Sequence, residues 1–239
     1  MANSFFKLKE FTIQQESCSM KVCTESCLFG AWLADFFRDQ ELDAALDIGT
    51  GTGLLSLQLA QQVKVKSIDA IELDPAASKQ ATANFQASAW NQSLHCIQGD
   101  VLNYSFEKKY RLVFSNPPFF EQSLLSADRG INLARHEAAL GLTALADLAA
   151  NLLEADGWLA LLLPYLRADA MVEQALKAGL TLRKRTNVCQ TEKHGPFRSM
   201  LLFKKDGATE TTTDQVLIRQ NGSYSAAFTQ LLQPYYLYL

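Results

Sequence analysis

No run of apolar residues in this chain is long enough to cross a bilayer. The longest, Trp158 to Pro164, falls far short of the ~20 residues that a spanning helix needs. The N-terminus, Met1-Ala2-Asn3-Ser4-Phe5-Phe6-Lys7, lacks the basic-then-apolar order of a signal peptide, so a cytoplasmic setting is expected. Cysteines are few and badly spaced for metal. Cys18, Cys23, Cys27, Cys96 and Cys189 include no C-x-x-C pair, and nothing beside Cys23 and Cys27 completes a zinc site. Reduced structural thiols and no metal are the expectation, with Cys96 a core residue. His95 and His194 have no acid or metal partner in view. Neither charge dominates: 22 basic residues face 25 acidic ones, for a net charge of −3. A nucleic-acid partner would therefore need a local basic patch. Internal repeats and low-complexity segments are also missing. What remains is an ordinary globular composition, 48% hydrophobic and 20% charged over 239 residues, enough to bury a full core.

Along the chain, short apolar runs alternate with helical patterns. Leu28, Trp32, Leu33, Phe36 and Phe37 give an apolar face to a helix over 24–38. Ala44 to Ile48 reads as a buried strand that runs into Gly49-Thr50-Gly51-Thr52-Gly53, after which a helix opens at Leu54. Further strands are expected over 67–72, 94–97 and 110–114, with an alanine-rich helix reaching about Trp90. Later come a helix over 138–154, a strand over 158–163, a helix over 167–177 ended by Gly179, and two antiparallel strands over 181–190 and 196–204. The tail from Gln215 reads as a strand, an Asn221-Gly222 turn and a short amphipathic helix. This alternation predicts an α/β Rossmann-like domain with a seven-stranded, mostly parallel sheet and helices on both faces. One domain spans 1–239: an N-terminal extension and helix (1–40), a catalytic core (41–205) and a strand-turn-helix appendage (206–239).

Such sheets bind ligands beyond the carboxyl ends of their strands. Those ends carry Asp47 with Gly49, Gly51 and Gly53, then Glu72-Leu73, Asp100-Val101 and Asn116. The glycines let backbone approach a ligand closely and leave helix N–H groups open. Glu72 can take both hydroxyls of a ribose, and Asp100 can accept from an adenine amino group. That is a nucleoside site. The loop is G-x-G-x-G, with Leu54 where the dinucleotide fingerprint G-x-G-x-x-G has its last glycine. A phosphate-free nucleoside such as S-adenosylmethionine does not require that glycine.

Ser115-Asn116-Pro117-Pro118-Phe119-Phe120 ends the strand at 110–114 in a rigid extended loop. Asn116 offers a carbonyl oxygen and two N–H donors. The prolines cannot donate, so the carbonyls of Asn116 and Pro117 are expected to lack local amide partners. Phe119 adds a stacking face. These groups suit a planar amino compound, since a base stacked on an aromatic ring gains roughly 1–3 kcal/mol.

Asp47 to Gly53 resembles the first motif of class I methyltransferases. Asn116-Pro117-Pro118-Phe119 is similar to the Asn-Pro-Pro-Tyr/Phe motif of those that methylate exocyclic or amide nitrogens. Met20-Lys21-Val22-Cys23-Thr24-Glu25, Leu28 to Trp32, Ala134-Arg135-His136-Glu137 and the tail 224–237 resemble one bacterial family over nearly the whole chain. That family is the tRNA1(Val) adenine-37 N6-methyltransferases. Departures fall at Cys23 and Ser26, where its signature has glycine, and at Glu25, where it has aspartate. The resemblance implies S-adenosylmethionine as cofactor, tRNA as partner and a monomer. By its implication Lys21, Thr24, Asp47, Gly49, Gly51, Gly53, Glu72, Leu73, Asp100, Val101 and Asn116 bind the cofactor. Asn116, Pro117 and Phe119 carry the chemistry, with Phe119, Phe120 and Arg135 on the substrate side; Arg183-Lys184-Arg185, the densest basic run, is either an RNA contact or a solvated strand end. Lys7, Lys9, Lys21, Arg129, Lys193 and Arg198 are scattered further candidates, and His136 orders the loop after Phe119.

Other classes compete. A protein glutamine amide presents the same planar nitrogen, although the glutamine enzymes carry a larger N-terminal helical domain and only 43 residues precede the strand that leads into this glycine loop. A nucleotide-dependent oxidoreductase conflicts with the missing fingerprint glycine, and a non-catalytic cofactor-binding subunit conflicts with an intact Asn116.

Overall fold

The computed structural model describes residues 3–18, 20–117, 141–208 and 210–239. A short hairpin, β1 (Phe5–Lys7) with β2 (Thr12–Gln14), precedes helix α1 (Thr24–Phe37). Then β3 (Glu41–Ile48), α2 (Leu54–Gln62), β4 (Lys64–Glu72), α3 (Pro75–Gln86) and β5 (Leu94–Gln98) alternate, followed by β6 (Tyr110–Ser115). Beyond residue 140 come α4 (Leu142–Leu152), β7 (Leu153–Pro164), α5 (Ala168–Lys177), β8 (Thr181–Cys189) and β9 (Pro196–Lys204). The chain closes with β10 (Thr212–Leu217), the hairpin β11 (Arg219–Gln220) and β12 (Ser223–Tyr224), and α6 (Ala226–Leu232).

Among the described residues, eight strands form one sheet in the order β10-β8-β9-β7-β6-β3-β4-β5. Within it only β9 runs against its neighbours. The eighth strand corrects the expected count of seven. Thr212 to Leu217 pairs in parallel with β8, from Thr212↔Lys184 to Leu217↔Cys189. Its sequence, Thr-Thr-Asp-Gln-Val-Leu, has little apolar alternation, because one edge strand needs only Val216 buried. The strand expected from Gln215 in the appendage thus begins at Thr212 and supplies the sheet's edge. The N-terminal extension carries a hairpin that the sequence pattern does not announce.

The sheet separates two cores, which explains the unbroken apolar runs of its central strands. In β7, Ala160 and Leu162 face the layer containing α1, α2 and α6, whereas Leu159, Leu161 and Leu163 face the layer containing α4 and α5. Helix α1 is buried nearly all round, including Leu28, Leu33 and Phe37. Trp32 pins it to the sheet, its indole N–H donating to Thr186 Oγ1 at 3.1 Å. Helix α3 starts where the sequence signals it: Asp74 caps the Ala76 amide at 3.2 Å and Pro75 takes the first position.

Strand order reverses between β3 and β6. From β3 the chain winds outward to β4 and β5, then returns to place β6 on the other side of β3. Ligand crevices of open α/β sheets form at such a switch point. Ser115 fastens the two tips together, its hydroxyl donating to the Ile48 carbonyl at 2.6 Å.

Candidate active site

The loop after β3 is built on glycine conformations. Gly49, Gly51 and Gly53 have φ of 70°, 55° and 82°, values at which a side chain is strained. A Cβ on Gly49 or Gly51 would meet nothing within 4 Å, so this backbone borders open space that a ligand can enter. Gly53 serves packing instead: a Cβ there would lie 2.4 Å from Phe85 Cε1.

Asp47 lies beneath the loop rather than on the cleft wall. It is fully buried, and its Oδ2 accepts from Thr50 Oγ1 and Ser56 Oγ, both at 2.7 Å. Loop and helix α2 are thereby tied to the end of β3. Burial pushes the Asp47 carboxyl up to about 6; the two hydroxyls oppose the rise and the Glu72 charge adds to it. Among the described residues its Oδ1 has no hydrogen-bond partner. At the end of β4, Glu72 accepts from the Gly51 amide through Oε2 at 2.8 Å and from the Asp74 amide through Oε1 at 3.0 Å. Each oxygen keeps a further lone pair for a ligand hydroxyl. Leu73 follows half-buried. Beyond β5, Asp100 accepts from the Leu102 amide at 3.0 Å and from Asn103 Nδ2 at 2.7 Å, and Val101 is buried in the sheet's second core.

An open cleft along the glycine loop is lined by Gly49–Thr52, Leu54 and Leu55, by Met20, Lys21, Val22 and Ser26, and by Asn116. The N-terminal segment is held there by groups that local sequence patterns do not reveal. Gln15 accepts the Val22 amide through Oε1 at 2.8 Å, and its backbone carbonyl accepts from Lys21 Nζ. Asn84 of α3 exchanges hydrogen bonds with the Gln14 backbone, both at 2.9 Å, and donates to the Thr52 carbonyl at 2.8 Å. One buried amide therefore joins the N-terminal hairpin to the glycine loop. Thr24 begins α1 and is exposed, outside this lining. The residues present fit a phosphate-free nucleoside: exposed loop backbone, a carboxylate at the next strand end, and no cation on the loop.

Asn116 follows β6, half-buried, and donates from Nδ2 to Ser26 Oγ at 2.9 Å. Ser26 belongs to α1, 90 residues away in the chain. Pro117 is buried beside it. Pro118, Phe119, Phe120, Arg129, Arg135 and His136 lie outside the described residues. Arg183-Lys184-Arg185 does not form one patch. The strand's period of two splits the run between faces, and each cation already has a carboxylate: Arg183–Asp206 at 3.7 Å, Lys184–Asp214 at 3.0 Å and Arg185–Asp169 at 2.6 Å. The five cysteines are free thiols. Burial pushes Cys18 up to about 11 and Cys27 to about 12, so both are protonated at neutral pH. Among the described residues no cluster of three or more candidate ligands could hold a metal ion, and no helix is long and apolar enough to cross a membrane.

The methyltransferase small domain family matches residues 30–164. The chain is 37% identical over 239 residues to a tRNA1(Val) (adenine(37)-N6)-methyltransferase of Tolumonas auensis, covering 99% of this chain and 98% of that one. It is 33% identical to the protein of the same name from Dyadobacter fermentans, covering 98% of both. Among solved structures it resembles a predicted O-methyltransferase from Agrobacterium tumefaciens, with a TM-score of 0.66 at 14% identity over 87% of this chain and 95% of that one. It also resembles the N-methyltransferase NodS of Bradyrhizobium japonicum in complex with S-adenosyl-L-homocysteine, with a TM-score of 0.52 at 15% identity over 75% and 84%. At such identities the structural likeness speaks for the fold alone.

Proposed function

Because the chain belongs to the tRNA1(Val) (adenine(37)-N6)-methyltransferase family, we propose that it methylates N6 of adenine 37 in the anticodon loop of tRNA1(Val). The observation that carries this reading is the presence of Asn116 in the lining of the glycine-loop cleft together with Gly49. A donor bound along the loop and an amino group held by Asn116 share one crevice.

When bound, S-adenosylmethionine supplies an electrophilic methyl group on a sulfonium. Glu72 offers acceptors to ribose hydroxyls, and the Gly49–Gly51 backbone lets the nucleoside lie close. Asn116 and the Pro117 carbonyl accept from the two N6–H groups. An aryl amine is a poor nucleophile because its lone pair is delocalised into the ring. Hydrogen bonds that favour a pyramidal nitrogen direct that lone pair at the methyl carbon, and carbonyl dipoles suit the positive charge that develops on N6. Orientation of this kind is worth up to about 7–11 kcal/mol. As the N–C bond forms, the resulting ammonium is acidic enough to release its proton to water, so the reaction requires no general base. The base must leave its stack to reach the cleft, and Phe119 is assigned to stack on it there.

In this reading Arg183, Lys184 and Arg185 meet RNA phosphates only by exchanging Asp206, Asp214 and Asp169 for them, which favours a salt-sensitive contact. The test is incubation with labelled S-adenosylmethionine and either unmodified tRNA or a release factor, followed by mapping of the label. Label on N6 of adenine 37 is expected; label on a glutamine amide of the release factor would overturn the assignment.

A further inference from the structure

Asn116 has to present its oxygen, not its NH2 group, to an amine that can only donate. The two arms of a primary amide have nearly the same shape. A half-turn about the last side-chain torsion would therefore offer donors to the substrate and block the site. The sequence of the strand end does not decide between these orientations; the contact with Ser26 holds the observed one. Its hydroxyl oxygen accepts from Asn116 Nδ2 at 2.9 Å, and Ser26 is only 7% exposed, so bulk water cannot readily take its place. Ser26 in turn sits 3.1 Å from Cys23 Sγ, and either atom can donate to the other. When the hydroxyl donates to sulfur, the oxygen lone pairs face the Asn116 amide. Among the described residues none donates to Asn116 Oδ1, which leaves the oxygen for the substrate.

We propose that Ser26 is a positioning residue for methyl transfer, fixing the Asn116 amide with its oxygen toward the amino substrate and itself oriented by Cys23. The proposal rests on the role given to Asn116 above. Without Ser26, both amide orientations are populated and the ring of contacts around the nitrogen is completed in only part of the molecules.

The test is a double-substitution cycle read as single-turnover methylation of unmodified tRNA with saturating cofactor. Ser26→Ala is expected to slow methyl transfer at saturating cofactor by roughly three- to tenfold, the worth of one hydrogen bond, while tRNA affinity stays at the parent's value. Ser26→Thr, which retains a hydroxyl, is expected to recover most of the rate. In an Asn116→Ala background, Ser26→Ala is expected to change nothing further. A parental rate for Ser26→Ala beside an inactive Asn116→Ala would overturn the positioning role and leave the proposed function standing. An equal further loss in the Asn116→Ala background would also overturn it, by showing that Ser26 acts elsewhere. An active Asn116→Ala would instead remove the premise in the proposed function.

Discussion

Asp47→Asn isolates the energetic consequence of burying a carboxyl under the glycine loop. The Asp47 carboxyl rises from 3.8 to about 6 because it is fully buried, with the Glu72 charge adding to the rise. A folded-state value above the unfolded one means that folding takes up a proton in that window. The stabilisation is fully present below the unfolded value and is lost as pH climbs through the folded one. About two units at 1.36 kcal/mol each give about 3 kcal/mol in all, of which about 2 to 3 kcal/mol falls between about pH 4 and about pH 7. Asparagine keeps the shape and can still accept from Thr50 and Ser56, but it does not titrate. It leaves an unpaired N–H group at the place of Oδ1, a cost of about 1–3 kcal/mol that is the same at every pH. Urea unfolding of parent and Asp47→Asn across this range therefore measures the effect directly, because all other titrating groups cancel in the difference. The parent should lose about 2 to 3 kcal/mol relative to the variant on going from about pH 4 to about pH 7. A pH-independent difference would refute the reasoning, and a difference of opposite sign would show that the hydroxyls outweigh burial.

Asn116→Ala should retain S-adenosylhomocysteine binding by calorimetry but lose about a hundredfold in methyl-transfer rate, the scale seen when one preorganised polar group is removed from a charge-developing centre. Gly53→Ala combines a disallowed φ of 82° with a Cβ placed 2.4 Å from Phe85; thermal unfolding should show a loss of more than about 1 kcal/mol, with weakened cofactor binding. Trp32→Phe removes the indole N–H that reaches Thr186 at 3.1 Å inside the core, and should cost about 1–3 kcal/mol in denaturant unfolding. If Arg185 meets a phosphate in the tRNA complex, Arg185→Ala should reduce the log–log salt dependence of binding by about one; an unchanged slope would leave its pairing with Asp169 as its only role.

Much of the crevice was legible before any fold was known, because its parts are local and obey strong rules. Glycines at alternate positions after an apolar strand, carboxylates at the ends of Glu72 and Asp100, and a proline pair stopping a buried strand each announce a strand tip. Alternation of strands and helices then gathers those tips along one edge. Asp47 was legible as a site residue, but its place beneath the loop was not. Burial and the hydroxyls of Thr50 and Ser56 appear only when α2 packs down.

What the tertiary structure decided is contact between elements distant in the chain. Gln15 and Asn84 bracing the N-terminal wall, Ser26 meeting Asn116 across 90 residues and β10 completing the sheet beside β8 all join such elements. No periodicity encodes these pairings, since each needs only a single polar side chain or one buried valine. The basic run 183–185 shows the converse. Consecutive charges look like a patch in one dimension, and a strand's alternation of faces, with three carboxylates brought up by other segments, divides it.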